Sequence, residues 1–210
     1  MTPEQLIAAE DRLVKLWNDG EVNSLTHFSG SVDGRYEEWL CKLFSTMGPN
    51  DWVLCSHRAH YHKILHDDKN GADFNVLADV KAGRSMFMYG PRFIQSAIVA
   101  GLCGVAAGIA MSIKKRGGNE HVWHFGGDGC EDQGAFYEAV RLVDGHNLPC
   151  TFIIEDNHRQ CGVSKTERKV RNIAWPDCVV RHCYEPKYPH AGTDVRPNLK
   201  SQEPPDWLRK

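Results

Sequence analysis

No apolar run in the 210-residue sequence is long enough to cross a bilayer. The longest, Ala97 to Met111, is broken up by glycine and falls short of the roughly 20 residues a spanning helix needs. Charge of one sign is also lacking: Lys+Arg number 25 against Asp+Glu 27, for a formal net charge of -2. Neither a polybasic nucleic-acid surface nor an acidic tail is encoded, so no nucleic acid and no membrane is expected as a partner. The opening residues, Met1 to Gln5, do not start the basic-then-apolar pattern of an export signal, and the expected location is cytoplasmic. No two of the 8 cysteines (Cys41, Cys55, Cys103, Cys130, Cys150, Cys161, Cys178 and Cys183) have the two-residue gap of a zinc knuckle. They read instead as reduced thiols used mostly as small core residues.

What is present is a globular balance, 41% hydrophobic and 25% charged, enough for one full domain with appendages. Thr2-Pro3-Glu4-Gln5 has the form of a capping box, and Leu6, Ala9, Leu13, Leu16 and Trp17 follow at helical spacing until Gly20. A second helix is expected from Gly34 through Phe44, and a short strand over 52–55 after the Gly48-Pro49-Asn50-Asp51 turn. Trp17, Trp39 and Trp52 read as core or interface residues, since no basic groove accompanies them. The Ala- and Gly-rich run from Ala97 predicts a helix buried on all sides, ended by Lys114-Lys115-Arg116 and Gly117-Gly118.

The next segment reads strand, glycine turn, helix, strand, the repeating unit of a parallel sheet. Val122 to Phe125 is the first strand, and Gly126-Gly127-Asp128-Gly129 is the turn. Ala135, Phe136, Ala139, Val140 and Val143 form the buried face of the helix, and Cys150 to Ile154 is the second strand. The fold class is therefore α/β, a parallel sheet flanked by helices. Residues 1–183 are read as one domain and 184–210, rich in proline, as an arm or disordered end. Ligands of such sheets bind beyond the carboxyl ends of the strands, where Asp128 and Asp156-Asn157 fall. A carboxylate and an amide there offer hard oxygen ligands suited to magnesium or calcium, although a Gly-Asp-Gly turn by itself is equally a plain structural turn.

Gly127-Asp128-Gly129, Asp132-Gln133-Gly134, Phe136-Tyr137-Glu138-Ala139, Asn147-Leu148-Pro149 and Glu155-Asp156-Asn157 together resemble the thiamine diphosphate signature. The resemblance is to the alpha subunit of the first component of 2-oxo acid dehydrogenase complexes and of acetoin dehydrogenase. It extends to His27-Phe28-Ser29-Gly30, to the segment from Cys55 through His62, to Gly83-Arg84-Ser85-Met86, and to 96–110. It covers roughly residues 5 to 175 in the family's order.

This resemblance implies a diphosphate-binding domain with magnesium held by Asp128, Asn157 and the main-chain carbonyl of Arg159. It also implies a diphosphate near His57, Arg58, Gly127 and Gly129, and an aminopyrimidine near Ala97 and Val99. His60 and His62 become candidate catalytic groups near the reacting carbon. The resemblance further implies a beta-type partner that supplies the activating Glu on a pyrimidine-binding domain, a small 2-oxo acid or ketol substrate, and a lipoyl carrier domain as a further partner. The reaction would be decarboxylation of a 2-oxo acid or cleavage of a 2-hydroxyketone.

Departures from the family pattern are Asp156 for Asn, Arg159 for Tyr, and the missing Gln-Glu pair near Val32-Asp33. The family's cofactor-proximal loop His has no matched counterpart, only His182 and His190 as candidates. Gln160 after Asn157 also resembles transketolase, so a split transketolase subunit is a second reading, and a non-catalytic homologue a third. The cluster His57, His60, His62 and His66 is open to cofactor, structural or zinc readings. The segment from Lys165 to Arg171 reads as a solvated loop or as a contact for an acidic carrier.

Overall fold

A computed structural model describes residues 1–22, 27–56, 58–72, 75–160, 163–169 and 173–188. The chain, whose residues 1–183 are read from sequence as one domain, divides into two compact units. One consists of Met1–Thr46, Arg58–Met88 and the chain from Glu185; the other of Met47–His57 and Tyr89–Tyr184.

The first unit is helical. Helix α1 (Pro3–Asn18) begins in the capping box expected of its sequence: Thr2 Oγ1 accepts from Gln5 N, and Gln5 Oε1 accepts from Thr2 N at 2.8 Å. Gly20, at a φ of 77°, turns the chain out of that helix. Helix α2 (Arg35–Thr46) begins one residue later and ends two residues later than expected. Trp17 is buried, edge-on to Phe28 at 6.0 Å, in keeping with a core reading. Helix α3 (His60–Lys69) is buried continuously from His60 through Asp67, and the short α4 (Val76–Lys81) follows it.

Two buried carboxylates shape this unit. Glu10 accepts from Ser29 N, from Gly30 N at 2.8 Å and from Tyr61 Oη at 3.0 Å. Glu37 accepts from Ser31 N at 2.9 Å, Ser31 Oγ at 2.5 Å and Tyr61 Oη at 3.2 Å. The start of the proline-rich arm is docked here: Val32 N donates to Glu185 O at 2.9 Å and Lys187 N to Gly30 O at 2.7 Å. Residues 189–210 of the arm, including His190, lie outside the described residues.

The second unit is built on a six-stranded sheet of β1 (Trp52–Ser56), β2 (Tyr89–Gly90), β3 (Phe93–Ser96), β4 (Val122–Gly127), β5 (Cys150–Asp156) and β8 (Val179–Cys183), ordered β2-β3-β1-β4-β5-β8. Every pairing is parallel except β2 with β3. A separate two-stranded hairpin joins β6 (Arg159–Gln160) to β7 (Val163–Ser164), and one turn of helix, α7 (Lys165–Arg168), follows. Helix α5 (Cys103–Lys115) and α6 (Gly134–Gly145) pack on each other and on the sheet around Leu54, Ala106, Ala110, Phe136, Val140 and Phe152. Trp52 packs partly buried against this core.

Two expectations are corrected here. The helix read from Ala97 begins only at Cys103, because Ala100 takes a φ of 56°, the left-handed region that ends regular structure for a residue with a Cβ. It is not buried on all sides, since Gly104, Val105 and Gly108 are exposed. Ala135, assigned to the buried face of α6, is exposed, and Phe136, Ala139, Val140 and Val143 carry that face.

Seven cysteines are described, all as free thiols. Four of them, Cys55, Cys103, Cys130 and Cys150, are buried as small core residues, while Cys183 is exposed. No helix among the described residues is long and apolar enough to cross a membrane.

Candidate functional site

The parallel strands β3, β1, β4, β5 and β8 present their carboxyl ends along one edge of the sheet. The chain leaves β1 for β3 on one side and returns to β4 on the other, a reversal that opens a crevice at such an edge. Asp128 follows β4 directly, opening a 3-10 turn over Asp128–Asp132, and Asn157 follows β5 directly. β4 and β5 are neighbours in register, Gly127 opposite Glu155, so the two residues leave strands about 4.8 Å apart. Ala97 and Val99 follow β3 at the same edge in a half-buried turn, where Ser96 Oγ accepts from Ile98 N at 3.1 Å.

The local geometry is tightly specified. A Cβ on Gly129 would lie 2.6 Å from the Gln160 side chain, which would have to give way. His158 has a φ of 62°, and its N–H donates to Asp156 Oδ1 at 2.9 Å. That left-handed residue, strained for a side chain of this size, turns the chain between Asn157 and Arg159.

Asp128 is 1% exposed. The chemistry of the set (an Asp carboxylate, an Asn amide and a main-chain carbonyl at Arg159) is the all-oxygen set that suits magnesium. Its carboxylate already attracts a cation: Arg168 Nη2 donates to Asp128 Oδ2 and Arg168 Nη1 to Asp132 Oδ2. The residues therefore fit a divalent cation in chemistry and charge, with Arg168 as its competitor.

The remaining polar groups at this edge form a matched network. Asp156, the residue that departs from the family's Asn, pairs with Lys165 and with Arg181 Nη1 at 2.5 Å. Arg181 also binds Glu131, which accepts from Trp175 Nε1 at 2.7 Å. Burial pushes the Asp156 carboxyl up, but the Lys165 ammonium, the His158 N–H and the His158 ring outweigh it and hold it below the usual range. Lys165 and Arg168 thus point inward onto carboxylates, not outward as the solvated-loop or carrier-docking readings had them; Lys169 caps the turn and Arg171 lies outside the described residues. Sequence reasoning named Arg168 only as part of a solvated or carrier-docking loop and missed its carboxylate partners, and it missed Arg181 and Glu131 altogether.

The other expected site residues belong to the helical unit, except His57, which lies outside the described residues. Arg58 is half-buried just before α3. His60 and His62 are 1% and 0% exposed. His60 Nε2 is 3.0 Å from Ser85 Oγ, which links it to the Gly83-Arg84-Ser85-Met86 segment. Burial pushes the His60 imidazole down to about 4, so it is neutral near pH 7. His62 lies 6.1 Å from the Phe44 ring, centroid to centroid. Among the described residues, which do not include His57, no group of three or more His, Cys, Asp or Glu is placed to hold a metal ion. His182 is half-buried on β8, its ring stacked on Tyr184 at 6.5 Å.

The chain is 33% identical over 181 residues to the testis-specific mitochondrial pyruvate dehydrogenase E1 component subunit alpha of Homo sapiens, a match covering 80% of this chain and 44% of that protein. It is 37% identical over 147 residues to the somatic form of Macaca fascicularis, covering 65% of this chain and 37% of the relative. The chain thus spans less than half the length of these relatives. A solved structure of a candidate thiamin diphosphate-dependent enzyme from Mycobacterium smegmatis aligns over 58% of this chain and 20% of that one, with 17% identity and a TM-score of 0.38, a likeness too slight to argue from. Residues 37–174, which hold Asp128, Asn157 and the whole strand, turn, helix, strand unit, match the dehydrogenase E1 component family, and the chain belongs to that family.

Proposed function

We propose that this chain is the thiamine diphosphate- and magnesium-binding part of an alpha-type subunit that decarboxylates a small 2-oxo acid. The observation that carries this reading is the placement of Asp128 and Asn157 at the carboxyl ends of adjacent parallel strands, on the edge shared with Ala97 and Val99. Bound cofactor would supply a nucleophilic carbon and an electron sink for loss of carbon dioxide.

The residues of the chain supply binding and orientation. Asp128, Asn157 and the Arg159 carbonyl hold magnesium through hard oxygens. Gly127 and Gly129 let the backbone come close to the diphosphate, and the family resemblance, not the placement of the two units, adds Arg58 and His57 as candidates for its oxygens. The backbone around Ala97 and Val99 orients the aminopyrimidine. His60, neutral and engaged with Ser85, acts by hydrogen bonding, which makes it a poor proton carrier near pH 7. His62 is the remaining candidate for a donor near the reacting carbon.

Activation requires a Glu that the resemblance assigns to a beta-type partner, with a lipoyl carrier as acceptor of the product in a dehydrogenase complex. A cytoplasmic location is part of the same proposal, tested by fractionation. A split transketolase subunit is the second reading, favoured by Gln160, whose side chain sits over Gly129. Turnover of ketol donors with pentose phosphates would select it over 2-oxo acids with an electron acceptor.

The decisive test is isothermal titration of thiamine diphosphate with magnesium into the chain, with and without beta-type partners, for the native protein and Asp128→Ala. Saturable, magnesium-dependent binding lost in the variant is the expected result. A folded protein that binds nothing even with partner chains present would overturn the reading in favour of a non-catalytic homologue.

A further inference from the structure

The contact of Arg168 with Asp128 has a consequence for how a cation enters the site. The Arg168 side chain is 9% exposed and that of Asp128 0%, so the pair is closed off from water, while Asp132, the second carboxylate on the guanidinium, is 26% exposed. The Arg168 Nε is buried with no hydrogen-bond partner among the described residues. The guanidinium is therefore held by its two terminal nitrogens only, a weaker seat than a fully satisfied one. Its backbone is positioned from the metal loop itself: Lys165 N donates to His158 O at 3.1 Å, and Ser164 caps α7 reciprocally with Glu167.

A buried carboxylate needs a positive partner, and a guanidinium and a divalent cation cannot share the same oxygens of Asp128 without strong repulsion at low dielectric. We infer that Arg168 is the resident counter-ion of the metal-binding carboxylate, a tethered cation that neutralises Asp128 when no divalent cation is bound and swings onto Asp132 when one arrives. This rests on the proposed function, in which Asp128 is a metal ligand. It makes Arg168 a determinant of metal affinity, because only the fraction of molecules with Asp128 released can bind. It also couples cation binding to movement of the 163–169 segment.

The test measures Mg2+ binding, alone and with thiamine diphosphate, by isothermal titration for the native protein, Arg168→Gln, Asp132→Asn and Asp128→Ala. Hydrogen exchange of 163–169 is followed with and without the metal. Arg168→Gln is expected to tighten Mg2+ binding by about tenfold, the gain from removing a competitor that occupies the site nine times in ten. Asp132→Asn, which keeps Arg168 and Asp128 but weakens the guanidinium's second hold, serves if Arg168→Gln fails to fold. Its metal affinity is expected to fall by about twofold or more, because the displaced guanidinium loses the carboxylate that receives it, and Mg2+ is expected to speed exchange in 163–169 of the native chain.

Unchanged or weaker Mg2+ binding in Arg168→Gln, or exchange in 163–169 indifferent to Mg2+, would overturn the inference while leaving the site reading intact if Asp128→Ala still abolishes binding. Mg2+ binding that survives in Asp128→Ala would instead overturn the site reading itself, and with it this inference.

Discussion

The Glu10–Glu37 pair of the helical unit and the strand-end edge of the sheet unit bury carboxylates by opposite means, while Asp67 in the helical unit is, like the latter, met by a cation, Lys63. In the helical unit Glu10 and Glu37 are held by neutral donors: backbone N–H groups, the Ser31 hydroxyl and the Tyr61 hydroxyl they share. In the sheet unit Asp128, Glu131 and Asp156 are each met by a cation, from Arg168, Arg181 or Lys165. The electrostatic consequences follow. Burial, with a smaller contribution from Glu37, raises the Glu10 carboxyl to about 7 despite its hydrogen bonds, whereas the cations around Asp156 overcome its burial and lower it. Neutral donors fix backbone shape but do not offset the cost of burying the charge, so burial favours the protonated acid; paired cations keep an anion ready, which is what a cation-binding edge requires.

The largest test of this contrast is its opposite pH dependence. Glu10 remains protonated in the folded protein while it ionises in the unfolded chain, so its contribution is fully present below the ordinary carboxylate range and lost as pH rises toward 7. The loss is on the order of 3 kcal/mol. Glu10→Gln should flatten the decline in urea-unfolding free energy over that window; a variant that keeps the slope would locate the titration elsewhere. Asp156 behaves in reverse: its contribution is present above the ordinary carboxylate pKa and lost on acidification through its lowered value, so Asp156→Asn should flatten the acid limb instead.

Next in size is Arg181→Met, which leaves Glu131 and Asp156 short of a cation. Breaking a fully buried pair costs about 3–5 kcal/mol, and with the Arg181 side chain 33% exposed about 2–3 kcal/mol is expected. Adding Asp156→Asn should recover part of that loss in a double-mutant cycle, and additive losses would deny the coupling.

Gly129→Ala should cost at most about 1 kcal/mol, because the partly exposed Gln160 side chain can swing aside, and Gln160→Ala in the same chain should restore most of it. An effect of similar size is expected outside the contrast. Thr2→Ala removes the cap of α1, whose Thr2–Gln5 bond is long at 3.4 Å, and should lower the unfolding free energy by about 0.5–1 kcal/mol. A larger loss would show that the N-terminus contributes more than a cap.

Much of the fold was legible because its signals are local. The capping box at Thr2, the apolar spacing of α1 and α6 and the glycine turn after Phe125 lie within a few residues of what they specify, and each element is found near its expected place. Asp128 and Asn157 were legible as site candidates because both follow parallel strands, and parallel strands put their carboxyl ends on one side. Less legible was the start of α5, where the composition of 97–102 favours helix and the positive φ of Ala100 overrides it. The burial of His60 and its bond to Ser85, 25 residues away in sequence, also escaped, since nothing near either residue specifies the other.

By itself the sequence determined an α/β chain with a parallel-sheet unit, reduced core thiols and a hard-oxygen pair at strand ends, because periodicity, caps and turns are properties of short stretches. Only the tertiary structure decided the strand order β2-β3-β1-β4-β5-β8, the division into two units, and the partners of the charged residues. Arg168 reaches Asp128 across 40 residues and Arg181 reaches Glu131 across 50. Pairings at that separation arise when strands and helices pack, and in a buried setting they follow from the cost of leaving a carboxylate without a counter-charge.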